Sequence, residues 1–203
     1  MPKVYAIDGI TPVVHPSAFV HPSAVLIGDV IVAARAYIGP CACLRGDFGR
    51  IVVEEGANIQ DTCMLHGFPG KDTVVGAGAT IGHGAVLHGC VVRRGALVGM
   101  NCVVNDNAEV GEDAVVAALA FVKAEAKVEA RTLVAGIPAR ALRTLSAQEL
   151  RWKNDNMHLY QQLAVRSATT MQLVEALTEV EQDRKSIAIP GAIPLSELKK
   201  KHG

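Results

Sequence analysis

Apolar residues recur at every sixth position along much of this 203-residue chain. Triplets with a small residue first and an aliphatic residue third follow one another at that interval: Ala18-Phe19-Val20, Ala24-Val25-Leu26, Val30-Ile31-Val32, Ala36-Tyr37-Ile38 and Ala42-Cys43-Leu44. They return in step from Ala96-Leu97-Val98 to Ala126-Lys127-Val128. A helix, turning every ~3.6 residues, cannot keep such a pattern on one face. Short strands can, because alternate residues point to opposite sides and a turn at each end resets the phase. A fixed internal period of this kind marks a solenoid.

From Val13 to Ala139 the pattern resembles the hexapeptide-repeat left-handed β-helix family. That resemblance implies an all-β solenoid, a left-handed parallel β-helix shaped as a triangular prism. Three strands make one coil, and a residue three hexads on stacks above its predecessor at about the 4.8 Å spacing of neighbouring strands. The hand is an exception to the right-handed crossover rule. The expected organisation is the solenoid over residues 1–139, a C-terminal helix or helix pair over 140–185, and an extended or mobile tail over 186–203.

Three breaks in the period have to be placed. Leu44 to Val53 spans nine residues, Leu65 to Val75 ten and Leu87 to Val92 five. The first two are expected as outward loops and the third as a shortened corner. One face then carries Leu26, Leu44, Leu65, Leu87, Val104 and Val122 inward, and the next residues outward, so Arg45, His66 and His88 form a ladder. On a second face Ile59 and Ile81 point inward, and Asp61 and His83 stack near a corner. Five extended residues, about 16 Å at strand rise, separate His83 from His88. One prism does not bring them together, so His83 is predicted to complete a site on a neighbouring copy. Repeating that contact closes a threefold oligomer with heterologous interfaces, in which Arg45 faces Asp61 of the neighbour.

Arg45-Gly46-Asp47, Asn58-Ile59-Gln60-Asp61, His66 and the run from Ile81-Gly82-His83 through His88-Gly89-Cys90 resemble the γ-class carbonic anhydrase signature. The resemblance implies His66 and His88 as metal ligands from one subunit and His83 as the ligand from the next. It also implies Gln60, held by Asn58, as the group that orients water on the metal, and Arg45, Asp47 and Asp61 as interface and support residues. Three neutral imidazoles leave a fourth tetrahedral position open, the catalytic arrangement of zinc. Water there ionises near neutral pH. Iron(II) or cobalt(II) suit the same ligands, and zinc is the metal expected.

The chain departs from carbonic anhydrases where those proteins resemble one another in proton export. Phe48 follows Asp47 where a glutamate is expected, and the loop after His66 is only Gly67-Phe68-Pro69-Gly70-Lys71-Asp72. Gly46-Asp47-Phe48-Gly49-Arg50, His66-Gly67-Phe68-Pro69, Arg93-Arg94 and Leu97-Val98-Gly99-Met100-Asn101 are similar to the PaaY proteins of phenylacetate degradation and, next, to the CaiE proteins of carnitine operons. The resemblance implies a metal-dependent thioesterase that hydrolyses hydroxylated phenylacetyl-CoA esters by a hydroxide on the metal. The alternatives are carbon dioxide hydration, a metal-free hexapeptide acyltransferase and a non-catalytic metal-bearing scaffold.

Other features have plainer readings. His15 and His21, in duplicated His-Pro-Ser-Ala segments, read as corner turns and not as ligands. Cys63, Cys90 and Cys102 fill the small inward position. Ser146-Ala147-Gln148-Glu149 is a capping box that starts a helix, and apolar residues from Leu150 to Val180 carry helical periodicity toward Arg184. Tyr160 is a candidate pocket residue or a packing residue. Arg93 and Arg94, with Arg140 and Arg143, are candidates for coenzyme A phosphates. With 20 basic and 20 acidic residues, the chain offers no electrostatic case for nucleic acid or membrane partners. No apolar run long enough to span a bilayer is present. Five cysteines without framework spacing fit a reducing, cytoplasmic setting.

Overall fold

The computed structural model describes residues 2–189 and residue 197. A left-handed β-helix of about seven turns occupies the first two thirds of the chain. Leu26 pairs with Leu44, Leu44 with Leu65, Leu65 with Leu87, Leu87 with Val104 and Val104 with Val122, all in parallel register. The second face stacks Ile38, Ile59, Ile81 and Val98 in the same way. Both inward columns therefore match the hexad reading residue for residue.

The core is narrow because large and small inward residues alternate. Leu, Ile and Val fill the faces, while Ala57, Cys63, Ala79, Ala85, Cys90, Ala96 and Cys102 close the corners, all essentially fully buried. Each fully buried Leu or Ile contributes roughly 1.5–3 kcal/mol over the exposed state. Corners turn through single residues of positive φ: Arg35, Gly56, Gly78, Gly95, Asp113 and Arg131 line one of them, at 55° to 66°.

The insertions differ from one another. Residues 67–72 leave the prism as the expected loop. The first insertion does not, because the strand Cys43–Val53 continues through it. Its pairing with Val25–Val32 jumps from Gly28–Gly46 to Val30–Ile51, and residues 47–50 are extruded as a bulge. Ladder pairing on both sides outcompetes a free loop there.

The C-terminal part corrects where the helical region starts and decides for one helix over a pair. Residues 140–144 are not helical: Ala139–Thr144 folds back antiparallel on Thr132–Gly136 and extends the second face. A single helix, α1 (Ala147–Thr170), then runs from the predicted capping box, with Ser146 accepting from the Glu149 N–H and Glu149 accepting from the Ser146 N–H. Residues 171–189 form no second helix. Met171 is extended, and Met171, Val174, Leu177 and Val180 are exposed. Their spacing is helical, yet no surface receives that face, and a short helix without tertiary packing is marginal in water. Most of the tail expected over 186–203 lies outside the described residues.

Helix α1 docks along the corner that carries the positive-φ glycines. Lys153 Nζ donates to the Gly95 carbonyl at 2.5 Å and to Asp113 at 2.8 Å. Gln161 Nε2 donates to the Gly56 carbonyl at 3.3 Å. A Cβ on Gly78 would lie 2.5 Å from Met157 Sδ and one on Gly56 2.4 Å from Gln161 Nε2. These glycines thus supply both the left-handed turn and the clearance for the helix. Tyr160 sits edge-on to Tyr37, with ring centroids 5.6 Å apart, beside Phe19 and Ala164. No helix is long and apolar enough to cross a membrane among the described residues.

Candidate metal centre

His66 and His88 end two adjacent strands, Met64–His66 and Val86–His88, which pair in register with the two histidines opposite each other. Inward Leu65 and Leu87 fix the phase of both strands, so both imidazoles must point out. His66 Nδ1 and His88 Nε2 approach to 3.1 Å. The remaining nitrogens are held by carboxylates: His66 Nε2 lies 3.0 Å from Asp47 Oδ1, and His88 Nδ1 lies 2.5 Å from Asp106 Oδ1. If each outer nitrogen gives its N–H to its carboxylate, the two inner nitrogens turn lone pairs toward one another, an arrangement that a cation or a shared proton stabilises.

Asp47 is itself tied down. Desolvation raises its pKa, but hydrogen bonds from Arg45, at 2.7 Å, and from His66 outweigh burial and hold the carboxyl below its ordinary value. Thr73, fully buried, donates to the His66 carbonyl at 2.6 Å and accepts from the Gly89 N–H at 3.0 Å, locking the two strand ends together.

His83 stands apart, at the corner that the sequence assigned to it. Its Nδ1 lies 2.9 Å from Asp61 Oδ2 and both side chains are well exposed. No group of three His, Cys, Asp or Glu able to hold a metal forms within the chain among the described residues. Gln60 neighbours this corner, only 5% exposed, and donates from Nε2 to Asn58 Oδ1 at 3.1 Å. Asn58 in turn donates to Thr80 at 2.9 Å. The chain therefore carries two separate clusters: a histidine pair on the first face, and His83 with Gln60 and Asp61 on the second. All three histidines have one nitrogen on a carboxylate, the usual way a protein fixes the tautomer of a metal-binding imidazole.

The other candidates fall elsewhere. Arg93 is paired with Glu109 at 2.7 Å, and Arg94 lies 3.8 Å from Glu112, both beyond the third face and not with the histidines. Arg143 forms a two-pronged pair with Glu149 that anchors the start of α1. Tyr160 packs against Tyr37, and burial with the nearby charge of Asp61 pushes its hydroxyl up to about 12. His15 and His21 brace turns through Ser17 and Ser23. Burial pushes the thiols of Cys63 and Cys90 up to about 11 and about 12, so neither is an active nucleophile. Sequence reasoning missed Asp106. Its only signal is position, one residue after outward Asn105 in the turn that follows the strand Val103–Val104.

No family model matches the chain. Over 180 residues it is 57% identical to the carnitine operon protein CaiE of Salmonella newport, spanning 89% of this chain and 91% of that protein, and Salmonella enteritidis CaiE matches equally well. The chain belongs to the CaiE family. Sequence reading had ranked CaiE after PaaY. Among solved structures it is similar to a candidate acetyltransferase from Bacillus cereus, with a TM-score of 0.79, 29% identity, and coverage of 80% of this chain and 95% of that one. A hexapeptide transferase family protein from Anaplasma phagocytophilum gives a TM-score of 0.78 and 35% identity, covering 80% and 96%. CaiE is thus a hexapeptide-repeat left-handed β-helix family, and this member carries the histidine pair on its first face.

Proposed function

We propose that the protein is a metal-dependent acyl-CoA thioesterase, working at sites shared between subunits of a homotrimer, with hydroxylated phenylacetyl-CoA-type thioesters as substrates. The approach of His66 Nδ1 to His88 Nε2, with the outer nitrogens on Asp47 and Asp106, carries this reading. The 3.1 Å separation puts the two nitrogens close enough that His66 and His88 would both hold one ion. His83 of a neighbouring copy, its Nδ1 on Asp61, would supply the third nitrogen. Zinc is the metal expected, and iron(II) or cobalt(II) fit the same donors.

When bound, the metal supplies positive charge for a developing oxyanion and a nucleophile from water at neutral pH. Asp47 and Asp106 accept the outer N–H groups, which in the neutral rings turns the inner lone pairs toward the ion. Gln60, fixed by Asn58 and Thr80, holds its amide oxygen as an acceptor for the attacking water. Hydrolysis breaks the thioester C–S bond; the acid and the coenzyme A thiol leave. Relatives named for a carnitine operon support a role in acyl-CoA metabolism, and the PaaY resemblance supports the aryl substrate.

The test is metal content together with turnover. The trimer should bind one ion per subunit, lose thioesterase activity to chelator and recover it with zinc. Phenylacetyl-CoA should be cleaved faster than acetyl-CoA or a trimethylammonium acyl-CoA, with little hydration of carbon dioxide. His88→Ala should abolish cleavage and leave the trimer intact. Metal-independent transfer of an acyl group from coenzyme A would overturn the reading in favour of an acyltransferase.

A further inference from the structure

Two aromatic side chains contact the histidine pair, one at each imidazole. Phe48 lies 5.4 Å, centroid to centroid, from His66, and Phe68 meets His88 edge-on at 4.8 Å and 85°. In the single chain Phe48 is 60% exposed and Phe68 48%, so both ring faces are open beside the imidazoles. Both come from the two insertions that interrupt the six-residue period, and the insertions are built to hold them there. Phe68-Pro69-Gly70-Lys71 is a turn closed by the Lys71 N–H on the Phe68 carbonyl at 3.2 Å, with Gly70 at φ 76°. Gly49 lets the bulge lie against that turn, since a Cβ there would come 2.3 Å from the Phe68 carbonyl oxygen. The neighbouring charges are already engaged: Arg45 with Asp47, and Arg50 with Asp29.

From this geometry we infer that Phe48 and Phe68 form the acyl-group subsite, selecting thioesters whose acyl part is a flat apolar ring. This rests on the thioesterase reading and names the specificity of that site. A planar acyl group reaching the histidine pair stacks on or against the two rings, whereas an acetyl group is too short to touch both. Aromatic pairing adds to the burial of the ring, and the rings exclude water from the reacting carbonyl.

The experiment measures binding separately from turnover. Non-hydrolysable thioether analogues, phenylethyl-CoA and ethyl-CoA, are titrated into the zinc-loaded trimer and into its Phe48→Ala, Phe68→Ala and doubly substituted variants. Wild type should bind the phenylethyl compound about tenfold more tightly than the ethyl compound. The double variant should lose that preference while its affinity for ethyl-CoA, its metal content and its trimeric state stay unchanged. Rescue by Phe68→Tyr, which keeps the ring, should restore most of the preference. Equal affinity for the two analogues in wild type, or a preference that survives in the double variant, overturns the assignment. Loss of metal in the double variant overturns it too, because the rings would then be props for the imidazoles. Failure of the thioesterase reading shows independently, as an absence of turnover with the binding preference intact.

Discussion

Replacing Asp106 by Ala tests the proposed metal centre at the residue that the sequence did not reveal. The carboxylate holds His88 Nδ1 at 2.5 Å, and so sets which nitrogen of the ring faces His66. Losing such a partner weakens metal binding by about 10–100-fold, or about 1.4–2.7 kcal/mol. The pair is 27% and 29% exposed on its two side chains, so water can replace part of the lost acceptor. That places the expected loss at the lower end, about tenfold. Asp61→Ala should cost less, because both partners of the Asp61–His83 pair are 43% exposed. Arg93→Ala removes an exposed pair with Glu109 away from the histidines and serves as the control. Competition with a chromophoric chelator at neutral pH gives the affinities, and light scattering checks that each variant keeps the oligomeric state of the unsubstituted protein. If Asp106→Ala binds zinc as tightly as the Arg93→Ala control, His88 is not a ligand through the nitrogen assigned here, and the reasoning fails.

Three further outcomes follow from the fold. Gly78→Val places a branched side chain at φ 64° and against Met157 Sδ; backbone strain of about 1–2 kcal/mol and a displaced α1 should lower the thermal midpoint, and an unchanged midpoint would show that the helix does not need this clearance. Lys153→Ala leaves Asp113 and the Gly95 carbonyl without their buried donor, which is only 2% exposed, and should cost about 1–3 kcal/mol in urea unfolding. Stability should decline in alkali. Cys63, Cys90 and Tyr160 keep their protons to about 11, about 12 and about 12 in the folded chain, whereas unfolded thiols ionise near ~8.5 and phenols near ~10. The unfolded state therefore binds fewer protons above about pH 8.5, and ΔG of unfolding falls from there upward. Cys63→Ala with Cys90→Ala should flatten that slope, and an unaltered slope would locate its origin elsewhere.

The helix pair shows where periodicity misleads. Leu150 to Leu163 and Met171 to Val180 look alike as apolar patterns, but only the first meets a groove, the glycine corner at Gly56, Gly78 and Gly95. The first insertion shows the converse. Nine residues between Leu44 and Val53 suggested a loop, and strand pairing on both flanks turned it into a bulge that presents Phe48. Local spacing states how many residues must be accommodated, and the neighbouring coil decides their shape.

By itself the six-residue period determined the solenoid, its inward columns and the outward phase of Arg45, His66 and His88, because side-chain direction along a strand alternates strictly. It also kept His83 apart from the other two histidines. Tertiary structure alone decided which imidazole nitrogens face each other, that Asp106 orients His88, and that two aromatic rings contact the pair. Those facts depend on contacts between coils and between insertions far apart in the chain, where side-chain rotation and loop packing, not period, set the distances.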